Sequence, residues 1–99
     1  MTPIIVNDFL DVPKLQETTD YKSVSDEQRD MIIPDMEVRV RRGEYIRIKI
    51  EEVNGDVLVG KVITETLNLE QPFDYLDWVQ FEKKNVIDIY DIDRWGVLY

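Results

Sequence analysis

Glu44-Tyr45-Ile46-Arg47-Ile48-Lys49-Ile50-Glu51-Glu52-Val53-Asn54-Gly55-Asp56-Val57-Leu58-Val59-Gly60-Lys61-Val62-Ile63-Thr64 is the stretch from which the rest of the chain is placed. Ile46, Ile48 and Ile50 alternate with Tyr45, Arg47, Lys49 and Glu51, the period-two pattern of a half-buried strand. Asn54-Gly55 signals a hairpin, because both residues tolerate the positive φ of tight turns. A second β-branched run, residues 57–63, follows at once. Lys61 sets the expected register. A two-residue loop at Asn54-Gly55 puts Lys61 opposite Ile48, on the apolar face. A three-residue loop, Val53-Asn54-Gly55, shifts the pairing by one residue and turns Lys61 outward beside Arg47. Burying a lysine is the worse choice, so the three-residue loop is expected. Leu58, Gly60 and Val62 then face Ile50, Ile48 and Ile46. Tyr45, Arg47, Lys49, Val57, Val59 and Lys61 are left on the outer face.

Upstream, Val38 and Val40 alternate with Arg39 and Arg41 in a strand that enters the hairpin through Arg42-Gly43. Downstream, residues 65–75 are irregular, with Leu67, Leu69 and Phe73 as anchors. Residues 78–82 then form a strand with Val79 and Phe81 inward. Lys83-Lys84-Asn85 makes a turn, and residues 86–90 return with Ile87 and Ile89 inward. Ser25-Asp26-Glu27-Gln28 fits a capping box that opens a short helix over residues 25–33, stopped by Pro34 and docked by Met31, Ile32 and Ile33. Pro3 and Pro13 make residues 1–24 an arm or edge strand, and residues 91–99 are an apolar tail. The expectation is a single domain spanning 1–99, mainly β (α+β). Its body, residues 34–90, is a small, five-stranded, partly open antiparallel barrel with one short N-terminal helix.

Composition narrows the function classes. Hydrophobic content of 43% beside 33% charge places the chain among globular rather than disordered sequences. No apolar run reaches membrane-span length, and no basic leader is seen, so the cytoplasm is the expected compartment. Absence of cysteine rules out disulfides and thiolate metal sites. Absence of histidine removes the usual general base at neutral pH. The net charge of −9 is uneven: residues 35–64 carry six acids and six bases, while both flanks are acidic. Such a field repels nucleic-acid backbones and anionic membranes, so neither is expected as a direct partner.

One spacing recurs. Pro34-Asp35-Met36-Glu37-Val38-Arg39-Val40 and Tyr75-Leu76-Asp77-Trp78-Val79-Gln80-Phe81 share a frame that sets Val38 over Val79 and Val40 over Phe81. Both copies resemble the Pro-Gly-Asp-x-Val-x-aromatic lead-in of small SH3-like barrels, in which a tight diverging turn feeds a curved strand. The second copy, with Tyr45-Ile46-Arg47-Ile48, Gly55-Asp56, Gly60-Lys61-Val62 and Val86-Ile87-Asp88-Ile89, also resembles short uncharacterised bacterial and viral domains with a Gly-Asp-x-Val-x-Phe strand. The resemblance spans residues 34–90 and implies an SH3-like barrel without implying an activity. Asp35 and Leu76 stand where those domains carry glycine.

Candidate chemistry is sparse. Asp74 and Asp77 are spaced as a carboxylate pair, but a loop acid and an aspartate capping its own turn explain them better. Asp88, Asp91 and Asp93 do not converge on an extended strand, so no metal or other cofactor is expected and the chain is not expected to be an enzyme. Arg39, Arg41, Arg47, Lys49 and Lys61 form a cationic stripe that either pairs with neighbouring acids or docks an acidic partner. Trp78, Tyr90, Trp95 and Tyr99 are the aromatics that alternation leaves least committed to the core. The first reading is therefore a non-enzymatic protein-interaction or regulatory module that uses its outer sheet face or its C-terminal tail. The alternative is an acidic inhibitor of phage or viral type, in which Asp74, Asp77, Asp88, Asp91 and Asp93 imitate phosphates and block a nucleic-acid-binding enzyme.

Overall fold

A computed structural model describes residues 2–12, 24–91 and 96–97 of the chain. The protein is mainly β. Its elements are β1 (Ile4–Ile5), α1 (Asp26–Asp30), β2 (Glu37–Arg41), β3 (Tyr45–Asn54), β4 (Val57–Val62), β5 (Trp78–Glu82), a 3₁₀ turn (Lys83–Asn85), β6 (Asp88–Asp91) and β7 (Gly96–Val97). They form one mixed sheet in the order β1-β5-β4-β3-β2-β6-β7. Strands β2 to β6 are those expected from alternation. The sheet gains β1, parallel to β5, and β7, antiparallel to β6, so it has seven strands rather than five. No helix among the described residues is long and apolar enough to cross a membrane.

The hairpin corrects the expected register while keeping its logic. Asn54 pairs with Val57 around the two-residue turn Gly55-Asp56, and Gly55 takes a φ of 63°. Glycine at the first central position is the pattern of a type II′ turn. Extended without interruption, this register would set Lys61 opposite Ile50, on the core side. A β-bulge at Glu51 prevents it: Glu52 pairs with Val59, but Ile50 pairs with Gly60 and Ile48 with Val62. Lys61 is thereby turned outward, opposite Lys49 rather than beside Arg47. The aversion to a buried lysine is satisfied by an extra residue in the strand, not by a longer loop.

Val38, Val40, Ile46, Ile48, Ile50, Leu58, Val62, Val79, Phe81, Val86 and Ile89 join in one apolar cluster. Val6, Phe9, Val24, Ile32, Met36 and Phe73 close it. The Phe9 ring meets Phe81 edge-on at 5.6 Å between centroids and Phe73 at 6.0 Å, geometries that aromatic quadrupoles favour. The N-terminal segment is held by Asn85, whose Nδ2 donates to the carbonyls of Phe9 and Leu10.

Helix α1 has the capping box read from the sequence: Gln28 N donates to Ser25 Oγ and Ser25 N to Gln28 Oε1. It ends at Asp30, short of Ile33, and of the three expected anchors only Ile32 is buried. Arg29 supplies the missing anchorage. Its Nε and Nη2 both donate to the Val86 carbonyl, at 3.2 and 3.0 Å, and its Nη1 pairs with Asp26.

The recurring sequence frame is a structural repeat. Asp35 and Leu76 both take the left-handed conformation, at φ 77° and 73°. Asp35 N donates to the Ile50 carbonyl and Leu76 N to the Val62 carbonyl, each at 2.8 Å. Ile50 N and Val62 N return bonds to the carbonyls of Met36 and Asp77. The five β2–β3 pairs map one by one onto the five β5–β4 pairs: Glu37–Lys49 onto Trp78–Lys61, Val38–Ile48 onto Val79–Gly60, Arg39–Arg47 onto Gln80–Val59, Val40–Ile46 onto Phe81–Leu58, and Arg41–Tyr45 onto Glu82–Val57. A local twofold axis therefore passes between Lys49 and Lys61. Its turns carry strain, because a branched side chain at positive φ costs about 1–2 kcal/mol. Leu76 is half exposed and has little burial to lose. Leu76→Gly is expected to raise stability by about 0.5–1 kcal/mol in urea unfolding, the strain relief outweighing the extra unfolded-state entropy.

Candidate functional site

The outer face of the sheet is built around the twofold axis, and its two halves differ in chemistry. Lys49 and Lys61 face each other across β3 and β4, an arrangement that like charges disfavour. Asp35 lies 3.6 Å from the Lys49 ammonium, and Trp78 stands opposite Lys61. On the β2–β3 side Arg39 is opposite Arg47 and Arg41 opposite Tyr45. The guanidinium carbons of Arg39 and Arg41 lie 4.3 and 4.9 Å from the Tyr45 ring centroid, within cation–π range. The Arg47 guanidinium reaches Glu37 only at 3.9 Å. On the β4–β5 side the matching positions hold Val57, Val59, Gln80 and Glu82. Apart from Lys61 beside the axis, the cationic character belongs to the β2–β3 half.

A shallow groove of about 470 Å³ opens on that half, lined by Arg39, Tyr45, Arg47, Ile63, Thr64 and Glu65. Its far wall is fixed to β3 by two hydrogen bonds: Arg47 N donates to Thr64 Oγ1 at 2.7 Å, and Ile63 N donates to the Arg47 carbonyl at 2.9 Å. Both bonds use backbone groups of Arg47, so its side chain projects from an ordered base.

Of the residues expected on the outer face, Tyr45 (43% exposed) and Arg47 are exposed, and Lys49, Val57, Lys61 and Trp78 are half-buried. Val59 is a correction: it is only 5% exposed. It occupies the middle of a central strand, between Glu52 on β3 and Gln80 on β5. Trp95 and Tyr99 lie outside the described residues.

The acids expected to form a phosphate-like row do not share one fate. Asp74 is exposed. Asp77 caps its own turn, its Oδ2 accepting from Asp74 N at 2.8 Å. Asp88 is the second correction: it is 4% exposed and ion-paired with Arg39, directly opposite on β2. Asp91 is described by its backbone alone, and Asp93 lies outside the described residues.

Sequence reading missed the tether between the β2–β3 turn and the long connection to β5. Glu44 accepts from Asn68 N at 3.0 Å, Leu69 N at 2.7 Å and Gln71 Nε2 at 3.2 Å. Arg42 donates from Nε to Asp8 and from Nη1 to Gln71. These are long-range side-chain bonds with no periodic signature. The amide of Asn68, then those of Leu69 and Gln71, hold the Glu44 carboxyl below its ordinary range against a smaller opposing effect of desolvation. A carboxylate with a lowered folded pKa contributes in full above its ordinary range, and the contribution is lost as pH falls through the lowered value. Acidification below the ordinary glutamate range should therefore lower the hydrogen-exchange protection factors at Asn68 and Leu69. Glu44→Gln should remove most of that pH dependence. Protection at both amides that stays flat with pH would contradict the assignment.

Comparison with protein families, curated proteins and solved structures found no match to this chain.

Proposed function

We propose that the protein is a non-enzymatic interaction module that binds another protein through the outer face of its sheet, centred on Tyr45 and Arg47. The observation that carries this reading is Tyr45: a large aromatic side chain, 43% exposed, flanked by two guanidiniums beside an open groove. Tyrosine and arginine are the residues that dominate interface energetics, and a paired strand presents them at little ordering cost. We also read β2 to β6 as an SH3-like small barrel, supported by the two equivalent left-handed turns that feed β2 and β5. A photo-crosslinking residue placed at Glu65 on the groove wall, with another at Glu27 on the helix as control, tests the interaction. Crosslinks to a discrete partner from position 65 and none from position 27 support the outer face. Equal or absent labelling at both positions overturns it.

A further inference from the structure

Resting on that reading, we infer that the segment bound at the outer face is acidic and extended, with carboxylates at alternate positions and an apolar residue beside them. The local twofold supplies an internal control. Arg41, Tyr45 and Arg47 occupy the frame positions that Glu82, Val57 and Val59 occupy in the other half, with the same backbone pairing. The frame itself therefore demands neither arginine nor tyrosine at those places. Arg39 differs, because it neutralises buried Asp88.

Charge makes the choice of partner. Among the described residues Arg41 has no carboxylate within ion-pair distance, and Arg47 has only the loose contact to Glu37. Arg41 and Arg47 are diagonal neighbours on one face, ~7 Å apart in an antiparallel pair. Alternate side chains of an extended peptide are also ~7 Å apart. Ile63 and the Tyr45 ring offer an apolar wall next to those charges. A short acidic segment fits within this patch. A nucleic acid would run on into the field of a chain whose net charge is −9, where its backbone is repelled. Glu65 on the groove wall works against a carboxylate, as does Glu37 where it approaches Arg47.

The test is fluorescence anisotropy with a labelled peptide of alternating glutamates flanked by leucine. Its glutamine counterpart, a phosphopeptide and a short oligonucleotide serve as comparison probes. The glutamate peptide should bind saturably, more weakly as salt rises. Arg41→Glu with Arg47→Val, the residues found at the twofold mates, should weaken it about tenfold while leaving the circular dichroism spectrum unchanged. Glu65→Gln, a conservative surface change, should tighten it by about two- to fivefold. Equal binding of the glutamine peptide, preference for the phosphopeptide or oligonucleotide, or indifference to the Arg41 and Arg47 substitutions overturns the inference. Crosslinking from position 65 that persists while the glutamate peptide fails would overturn the acidic preference alone and leave the interaction surface standing.

Discussion

Arg39→Met should lower stability by about 3–5 kcal/mol, the largest loss expected from any single surface-facing substitution. Arg39 and Asp88 are directly opposite on β2 and β6, and the Asp88 side chain is 5% exposed against 32% for Arg39. Removing the guanidinium leaves a carboxylate that water cannot reach and no cation balances. Loss of the contact with Tyr45 adds about 0.5–1 kcal/mol, already within that range. The pair itself is not the source of net stability, since desolvating two charges offsets much of their attraction. The double change Arg39→Met with Asp88→Leu should therefore recover most of the loss. Urea unfolding of the two single variants and the double variant measures the coupling. A loss below about 1 kcal/mol for Arg39→Met would show that Asp88 finds another partner.

Gly60→Ala should cost about 2–4 kcal/mol, a large effect for one methyl group. A Cβ at Gly60 would collide with Ile48 Cγ2 and lie 2.6 Å from the Lys49 carbonyl oxygen. Ile48 is the twofold mate of Gly60, and the two approach each other on the core side of the axis. One side chain fills the space there, and Ile48 has it. Overpacking alone usually costs 1–3 kcal/mol, and here part of the clash is with backbone, which cannot rotate away. Ile48→Ala alone should cost about 2–4 kcal/mol through the cavity it leaves. Combined, the two changes should cost clearly less than their sum, because the alanine methyl at 60 enters the space vacated at 48. Strict additivity in thermal or urea unfolding would refute the shared-space account.

The same residues show what could be read from sequence. Alternation in 45–51 and 57–62 assigned Lys61 to the outer face correctly, because a buried unpaired lysine is costly enough to decide parity. It did not assign the turn, because a longer loop and a bulge set residues 45–50 and 57–62 on the same faces and differ only at Glu52 and Val53, which the bulge turns outward and inward. Alternation also gave Asp88 its correct face. Its burial depends on Arg39 lying opposite, and nothing in the local sequence specifies which strand pairs with β6. The repeated frame was visible as spacing around Val38 and Val79. That it forms a twofold through Lys49 and Lys61 required the strand registers. At the candidate site, Tyr45 and Arg47 were legible from alternation, whereas Ile63, Thr64 and Glu65 became wall residues only through the hydrogen bonds to Arg47.

The two outermost strands have a bearing on solubility. A protein with this much sheet risks pairing edge to edge with its neighbours, because an unpaired strand offers a row of free amides and carbonyls. Here β1 and β7, the strands at the margins of the sheet, are two residues long each. Pro3 immediately precedes β1 and has no amide to donate, so an added strand finds no continuous template there. The longest strand, β3, lies at the centre between β2 and β4, its residues 45–49 paired to β2 and 48–54 to β4. Among the described residues, strand order therefore leaves only these two short strands at the margins of the sheet.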